Sequence, residues 1–267
     1  MSNSYCATEI EEYLLYIETS TLVCSVAVSK GESILSERVV KEPKAHAKII
    51  SQLLKEVLVE SEIGINDCRA VCVSSGPGSY TGLRIGVSFA KGLCYGSDKP
   101  LISVGSIELL ANCAIDAIYS ATSEKIDRNK HQANKEQLSA EESIEITPNS
   151  YNYIVPMIDA RRMEVYTAIF TESAEQISPV EAHIIERTSF SKELEEGNVL
   201  FCGNGAQKAA QIISHPNAHF LPLDSTSSGM LRPALKKLTN EEFEDLAYFE
   251  PFYLKDFIAE ISKKKLF

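Results

Sequence analysis

The stretch SSGPGSYTGLRIGVSFAKGLCYG, residues 74–96, decides how the rest of the chain is read. An apolar run, Ala70, Val71, Cys72 and Val73, leads into it as a buried strand. Gly76, Pro77, Gly78, Ser79, Tyr80, Thr81 and Gly82 follow, and such a Pro-Gly segment cannot extend a strand, so the chain turns. Thr81 is placed to cap a helix that opens near Gly82. Leu83, Ile85, Val87, Phe89, Ala90, Leu93 and Cys94 then give apolar surface on more than one side, which implies a largely buried helix. Gly82, Gly86, Ala90 and Cys94 recur at every fourth position, a row of small residues along which another backbone can come close. Two readings of the turn are open. A strand, a glycine turn and a helix N-terminus can together hold an anion on free backbone N–H groups. The same elements can equally be a tight turn and a helix packed closely on its own sheet. Neither GxxxxGK[ST] nor GxGxxG is present.

The totals set limits around this centre. A chain of 267 residues is long enough for one large domain or two small ones with real cores. The first fifteen residues, MSNSYCATEIEEYLL, lack a basic start followed by an apolar run, so no secretory leader is expected. No segment is long enough to span a membrane. The seven cysteines (6, 24, 68, 72, 94, 113 and 202) are odd in number and form no CxxC, which reads as a reducing cytoplasm without disulfides or a zinc ribbon. The net charge of −11 repels phosphate backbones, and the one basic run, Lys263-Lys264-Lys265, reads as a solvated tail.

Taken in order, 13–17 reads as a strand ending at Glu18, Thr19 and Ser20 lie in a turn, and 23–28 and 34–40 are two further antiparallel strands. Residues 45–60 form an amphipathic helix with Ile49, Ile50, Leu53, Leu54, Val57 and Leu58 in two adjacent rows. The central strand and helix follow, then a short apolar segment at 100–104 and a helix from 106 to about 117. Residues 120–150 are rich in charge and amides and read as an exposed insertion or linker. The second half opens with a strand at 153–158 ending at Asp159. Further strands at 163–170, 180–185 and 199–202 follow, with short helices at 189–196 and 206–214. The order of the first half returns: Glu18 corresponds to Asp159, and the turn at Gly76 to one at Gly203. Two such halves imply a duplicated α/β protein of βββαβα lobes with a cleft between them. The expected divisions are an N-terminal lobe at 13–118, the insertion at 119–150, a second lobe at 151–224, and two C-terminal helices (227–238 and 240–248) with a tail at 225–267 packing back on the first lobe.

This order of elements suggests the actin-like (ASKHA, ribonuclease H-like) superfamily. The motif at 74–93, MIDARRMEVYTAIF at 157–170, the opening YIETSTLVCSVAV at 16–28 and the closing FYLKDF at 252–257 are similar to the TsaB (YeaZ) family, over nearly the whole chain. The resemblance implies a non-catalytic subunit of the machinery that makes threonylcarbamoyladenosine in tRNA. It implies pairing with TsaD, the paralogue that transfers the threonylcarbamoyl group to the adenosine beside the anticodon, and with TsaE, a small ATPase. It also implies a homodimer in isolation. ATP and metal belong to TsaD and TsaE, so this chain requires no cofactor, and tRNA is met only through the complex. Pairing is expected to use the two N-lobe helices, through His46, Ile49, Ile50, Leu53, Leu54 and Val57 on one and Leu83, Gly86, Val87, Ala90, Leu93 and Cys94 on the other.

The alternative is a degenerate actin-like ATPase or small-molecule kinase. Active members of the superfamily wrap phosphates with an Asp-x-Gly turn after the first strand of each lobe, where glycine lets backbone N–H groups approach phosphate oxygens. Here the turns are Glu18-Thr19-Ser20 and Asp159-Ala160-Arg161, with serine and arginine in the glycine place. Glu18 and Asp159 either coordinate a metal or accept hydrogen bonds within their own turns. No metal site is expected: His46 is the N-lobe's lone histidine, and His215 and His219 have Pro216 and Asn217 between them. Ser74, Ser75, Ser79 and Thr81 have no histidine and carboxylate placed beside them. Arg84, Arg161 and Arg162 are open to a phosphate, a partner carboxylate or an internal salt bridge.

Overall fold

Alternation along strand β1 (Tyr13–Glu18) sends Leu15 and Ile17 to one face of a sheet and Leu14 and Tyr16 to the other. All four are fully buried, so both faces must be covered. In the computed structural model, which describes residues 12–131 and 150–255, they are. Strands β2 (Val23–Lys30) and β3 (Ser33–Lys41) continue antiparallel from β1. Helix α1 (His46–Glu60) then crosses to β4 (Cys68–Gly76), which pairs parallel with β1. Helix α2 (Tyr80–Ser97) leads to β5 (Leu101–Gly105), parallel to β4. The sheet order is β3-β2-β1-β4-β5. Helices α1 and α2 pack on the Leu15 face.

Helix α3 (Ser106–His131) joins the halves. Its Leu109 packs in the first lobe's second cluster, while Ile107, Leu110, Ala111 and Ala114 pack in the second lobe. The second sheet comprises β6 (Tyr153–Asp159), β7 (Glu164–Thr167), β8 (Phe170–Thr171), β9 (Glu181–Ile184), β10 (Val199–Cys202) and β11 (Ala218–Leu221). Its order is β11-β10-β6-β7-β9, with β8 on β6. Antiparallel β6–β7–β9 and parallel β6–β10–β11 repeat the first sheet strand for strand. The fold is therefore the duplicated α/β architecture of actin-like proteins. Short helices α4 (Ser191–Glu196) and α5 (Ala206–Ala210) serve the second lobe. A 3-10 turn (Ser227–Met230) and α6 (Leu231–Thr239) return to the Leu14 face of the first, through Met230, Ala234, Leu235 and Leu238.

Several local expectations need correction. Helix α2 begins at Tyr80, because Ser79 rather than Thr81 is the cap: extended at φ −61° and ψ 115°, it accepts the Gly82 N–H on Oγ at 3.2 Å. Helix α3 runs past 117 into the stretch expected to be a linker; residues 132–149 lie outside the described part. The strand at 163–170 is broken, with β8 paired to β6 and the Ile169 N–H donated to Ser178 Oγ. Helix 206–214 stops at Ala210, where bonds tighten to Gln211 N–Lys208 O and Ile212 N–Ala209 O. The helix expected at 240–248 does not form. Phe243 packs on one face of the first sheet and Leu246 and Phe249 on the other, so the segment wraps the β5 edge, with Glu244 N donating to Leu101 O at 2.9 Å.

Candidate functional site

The end of β1 and the start of α2 meet at the first lobe's turn. Glu18 is wholly buried. Its Oε1 accepts the Ser20 N–H at 2.6 Å and the Ser20 hydroxyl at 2.5 Å. Its Oε2 has no hydrogen-bond partner among the described residues. Burial raises the carboxyl to about 6, against the downward pull of the Ser20 and Ser74 hydroxyls. Thr19 donates its N–H to Ser74 Oγ at 3.5 Å.

The α2 glycines lie directly on this turn. A Cβ at Gly82 would sit 2.1 Å from Thr19 O, one at Gly86 2.1 Å from Thr19 Oγ1, and one at Gly78 2.3 Å from Ser20 O. Ser79 N also donates to Ser20 O at 2.6 Å. The row of small residues thus holds the chain's own Thr19-Ser20 backbone. Of the two readings of the glycine turn, close internal packing is the one this geometry carries out. Thr19 and Ser20 lie directly against Gly78, Gly82 and Gly86, and Ser20 folds back on Glu18.

In the second lobe the corresponding acid, Asp159, is exposed but likewise bonded within its own turn. Asp159 Oδ1 accepts the Arg161 N–H at 2.6 Å and the Lys208 ammonium at 2.7 Å, and Asn204 Oδ1 takes the Asp159 N–H at 2.8 Å. Gly205 N donates to Met157 O at 2.9 Å. Gly203, at φ +102°, leaves only 2.5 Å between its would-be Cβ and Met157 O. Arg161 and Arg162 are solvent-exposed at the hairpin tip, both left-handed with φ of 70° and 50°. Arg84 meets aromatic rings rather than a carboxylate: its guanidinium lies 4.1 Å from the Tyr80 centroid, and its Nε donates to Tyr253 Oη at 3.2 Å.

The residues assigned to a partner face are largely turned inward, which corrects that expectation. His46 is buried, with Nε2 3.1 Å from Thr21 O and 3.2 Å from Val23 O, pinning α1 to the β1–β2 turn. Ile50, Leu53, Val57, Leu83, Val87, Ala90 and Cys94 are at most 4% exposed, and all but Leu83 form the first lobe's core with β1, β2 and β4. Gly86 is filled by Thr19. Ile49, Leu54 and Leu93 are half-buried at the margin of that core. Apolar periodicity identified the inner faces because core packing is the larger demand on these helices. The outer flank carries Val59 (69% exposed) on α1 and Ser88, Gly92, Tyr95 (85% exposed) and Gly96 on α2. The readable signal for it was a second four-residue spacing, Ser88-Gly92-Gly96, with open space around both glycines.

Other chemistry-bearing groups are committed structurally. His215 Nδ1 accepts the Asn217 N–H at 3.2 Å, while His219 stacks edge-on to Tyr151. No cluster of three or more His, Cys, Asp or Glu side chains is arranged for a metal ion among the described residues. His183, unremarked in the sequence, bridges Glu181 Oε1 (3.0 Å) and Ser189 Oγ (2.9 Å). Ser189 is nonetheless buried and also accepts the Glu186 N–H, so the trio fastens β9 to the turn that precedes α4. Cys24 and Cys94 are pushed up to about 12 by burial, which keeps them as unreactive thiols.

Comparison with known proteins follows the same lines. Residues 33–120 match the TsaD family, tRNA N6-adenosine threonylcarbamoyltransferase. The Bacillus subtilis protein named tRNA threonylcarbamoyladenosine biosynthesis protein TsaB is 26% identical over 203 residues, covering 75% of this chain and 74% of that one. The Haemophilus influenzae protein of the same name is 36% identical over 104 residues, 39% of this chain and 43% of the relative. The chain thus spans less than half the length of that relative. The Pseudomonas aeruginosa YeaZ structure superposes with a TM-score of 0.69 at 20% identity, over 91% of this chain and all of that one. This structural likeness speaks for the fold.

Proposed function

We propose, from the premise that the chain belongs to the TsaB (YeaZ) family, that it is a non-catalytic subunit in forming threonylcarbamoyladenosine in tRNA. It docks on TsaD, supports that partner's productive conformation and helps recruit TsaE. The observation that supports this reading is the first turn, where Ser20 stands in the place of the superfamily's phosphate-loop glycine and Thr19 and Ser20 pack against Gly78, Gly82 and Gly86. A chain that closes its own phosphate turn contributes surface rather than chemistry. The surface it offers is the outer flank of α1 and α2, where Tyr95 stands as an exposed aromatic anchor beside two glycines with open space. The same flank serves a homodimer when TsaD is absent. ATP and metal enter with TsaD and TsaE, and tRNA is reached only through them. The setting is the cytoplasm; among the described residues no helix is long and apolar enough to cross a membrane.

The competing reading, a degenerate ATPase or small-molecule kinase, draws on Glu18, whose Oε2 has no partner among the described residues. The two separate in a reconstituted reaction with TsaD, TsaE, tRNA and the threonylcarbamoyl donor. Modification should depend on this chain, and the pure chain should not turn over ATP. ATP turnover by the pure chain that is lost in both Glu18→Ala and Asp159→Ala would overturn the proposal.

A further inference from the structure

The closing segment after α6 is left without a role by the function above, yet it touches both lobes. It leaves the β5 edge at Glu244 and passes along α2, where Lys91 Nζ donates to Phe249 O at 3.1 Å. Phe252 N then donates to Ser75 O at 2.7 Å. Gly76, at φ +111°, lies so close beneath that its would-be Cβ would stand 2.4 Å from Phe252 O. The first glycine of the central motif is therefore needed by the tail. One residue on, the Tyr253 ring sits 4.7 Å from the Tyr80 ring, and its hydroxyl accepts the Arg84 Nε–H at 3.2 Å. Two residues further, Lys255 crosses to the second lobe. Its ammonium pairs with Glu164 Oε2 and lies 5.7 Å from the Tyr166 ring centroid.

We propose that residues 252–255 are an interlobe latch. Docked, they tie the glycine turn and the start of α2 to the β6–β7 hairpin; released, they loosen both. The grip on the first lobe is backbone and aromatic. The grip on the second is an ion pair whose members are 37% and 25% exposed, so salt weakens it. The latch is a property of the chain alone and does not depend on the proposed function, so the two stand or fall separately.

The test is amide hydrogen exchange on the full chain, read by mass spectrometry over 74–86 and 157–167. Lys255→Glu is expected to speed exchange about five-fold in both segments. The charge swap Glu164→Lys with Lys255→Glu should return most of that protection. Tyr253→Phe, which removes only the hydroxyl, should speed 74–86 and serves as the milder variant. Acceleration confined to the tail's own amides, a swap that restores nothing, or variants indistinguishable from the parent would overturn the latch.

Discussion

Glu18 shows at one residue what burial of a carboxyl in the first lobe's turn costs. Its folded value of about 6 stands above the ordinary 4.5, so the native state holds more protons than the unfolded chain between those values. Stability therefore falls as pH rises through that window, and the penalty, about 2 kcal/mol, is fully present above it. Glu18→Gln should remove this dependence: its unfolding free energy relative to the parent, from urea melts, should improve by about 2 kcal/mol between pH 4 and pH 8. An unchanged difference would assign the burial cost elsewhere. Gly86 gives a second test. Gly86→Ala drives a methyl into Thr19 Oγ1 and should cost about 1–3 kcal/mol. Thr19→Ala should recover most of it, because Thr19 Oγ1 has no hydrogen-bond partner among the described residues. Gly82→Ala meets the Thr19 carbonyl instead, so Thr19→Ala should not rescue it. A double-mutant cycle by denaturant melts distinguishes the two glycines.

Helices α1 and α2 show at the level of elements what the sequence discloses and what it conceals. Periodicity located both helices and their apolar rows, and the duplication was legible because strand, acid, turn and glycine recur in the same order. Whether an apolar row faces a core or a partner was not legible, since both produce the same spacing. Leu53 and Ala90 are inside, so a glutamate at either should unfold the lobe rather than merely block binding, visible as lost cooperative melting. Gly92 lies mid-helix with nothing among the described residues within 4 Å of its would-be Cβ. Gly92→Ala should stabilise the isolated chain by about 0.5–1 kcal/mol, read by thermal or urea melting. The tail between 240 and 248 misled for a related reason: Phe243, Leu246 and Phe249 have helix-like spacing, but they serve opposite faces of one sheet across the β5 edge. The cap at Ser79 was displaced by two residues because Ser79 and Thr81 both carry a suitable hydroxyl, and only backbone conformation separates them.

On the scale of the whole molecule, two copies of one lobe share α3 and keep the superfamily's architecture while each closes its own turn, with Thr19-Ser20 against α2 in one and Asp159 against Lys208 and Asn204 in the other. The α1–α2 flank, with Val59 and Tyr95 exposed, is the surface proposed for the partner. The measurement that tests this most directly is size-exclusion chromatography with light scattering of the purified chain mixed with TsaD, run beside Tyr95→Glu, whose side chain is solvent-exposed and whose fold should melt like the parent. The account predicts a stable complex for the parent chain and its loss, with folding intact, for Tyr95→Glu. A complex unaffected by Tyr95→Glu would move the interface off α2, and no complex at all would contradict the proposal that this chain works as a partner of TsaD.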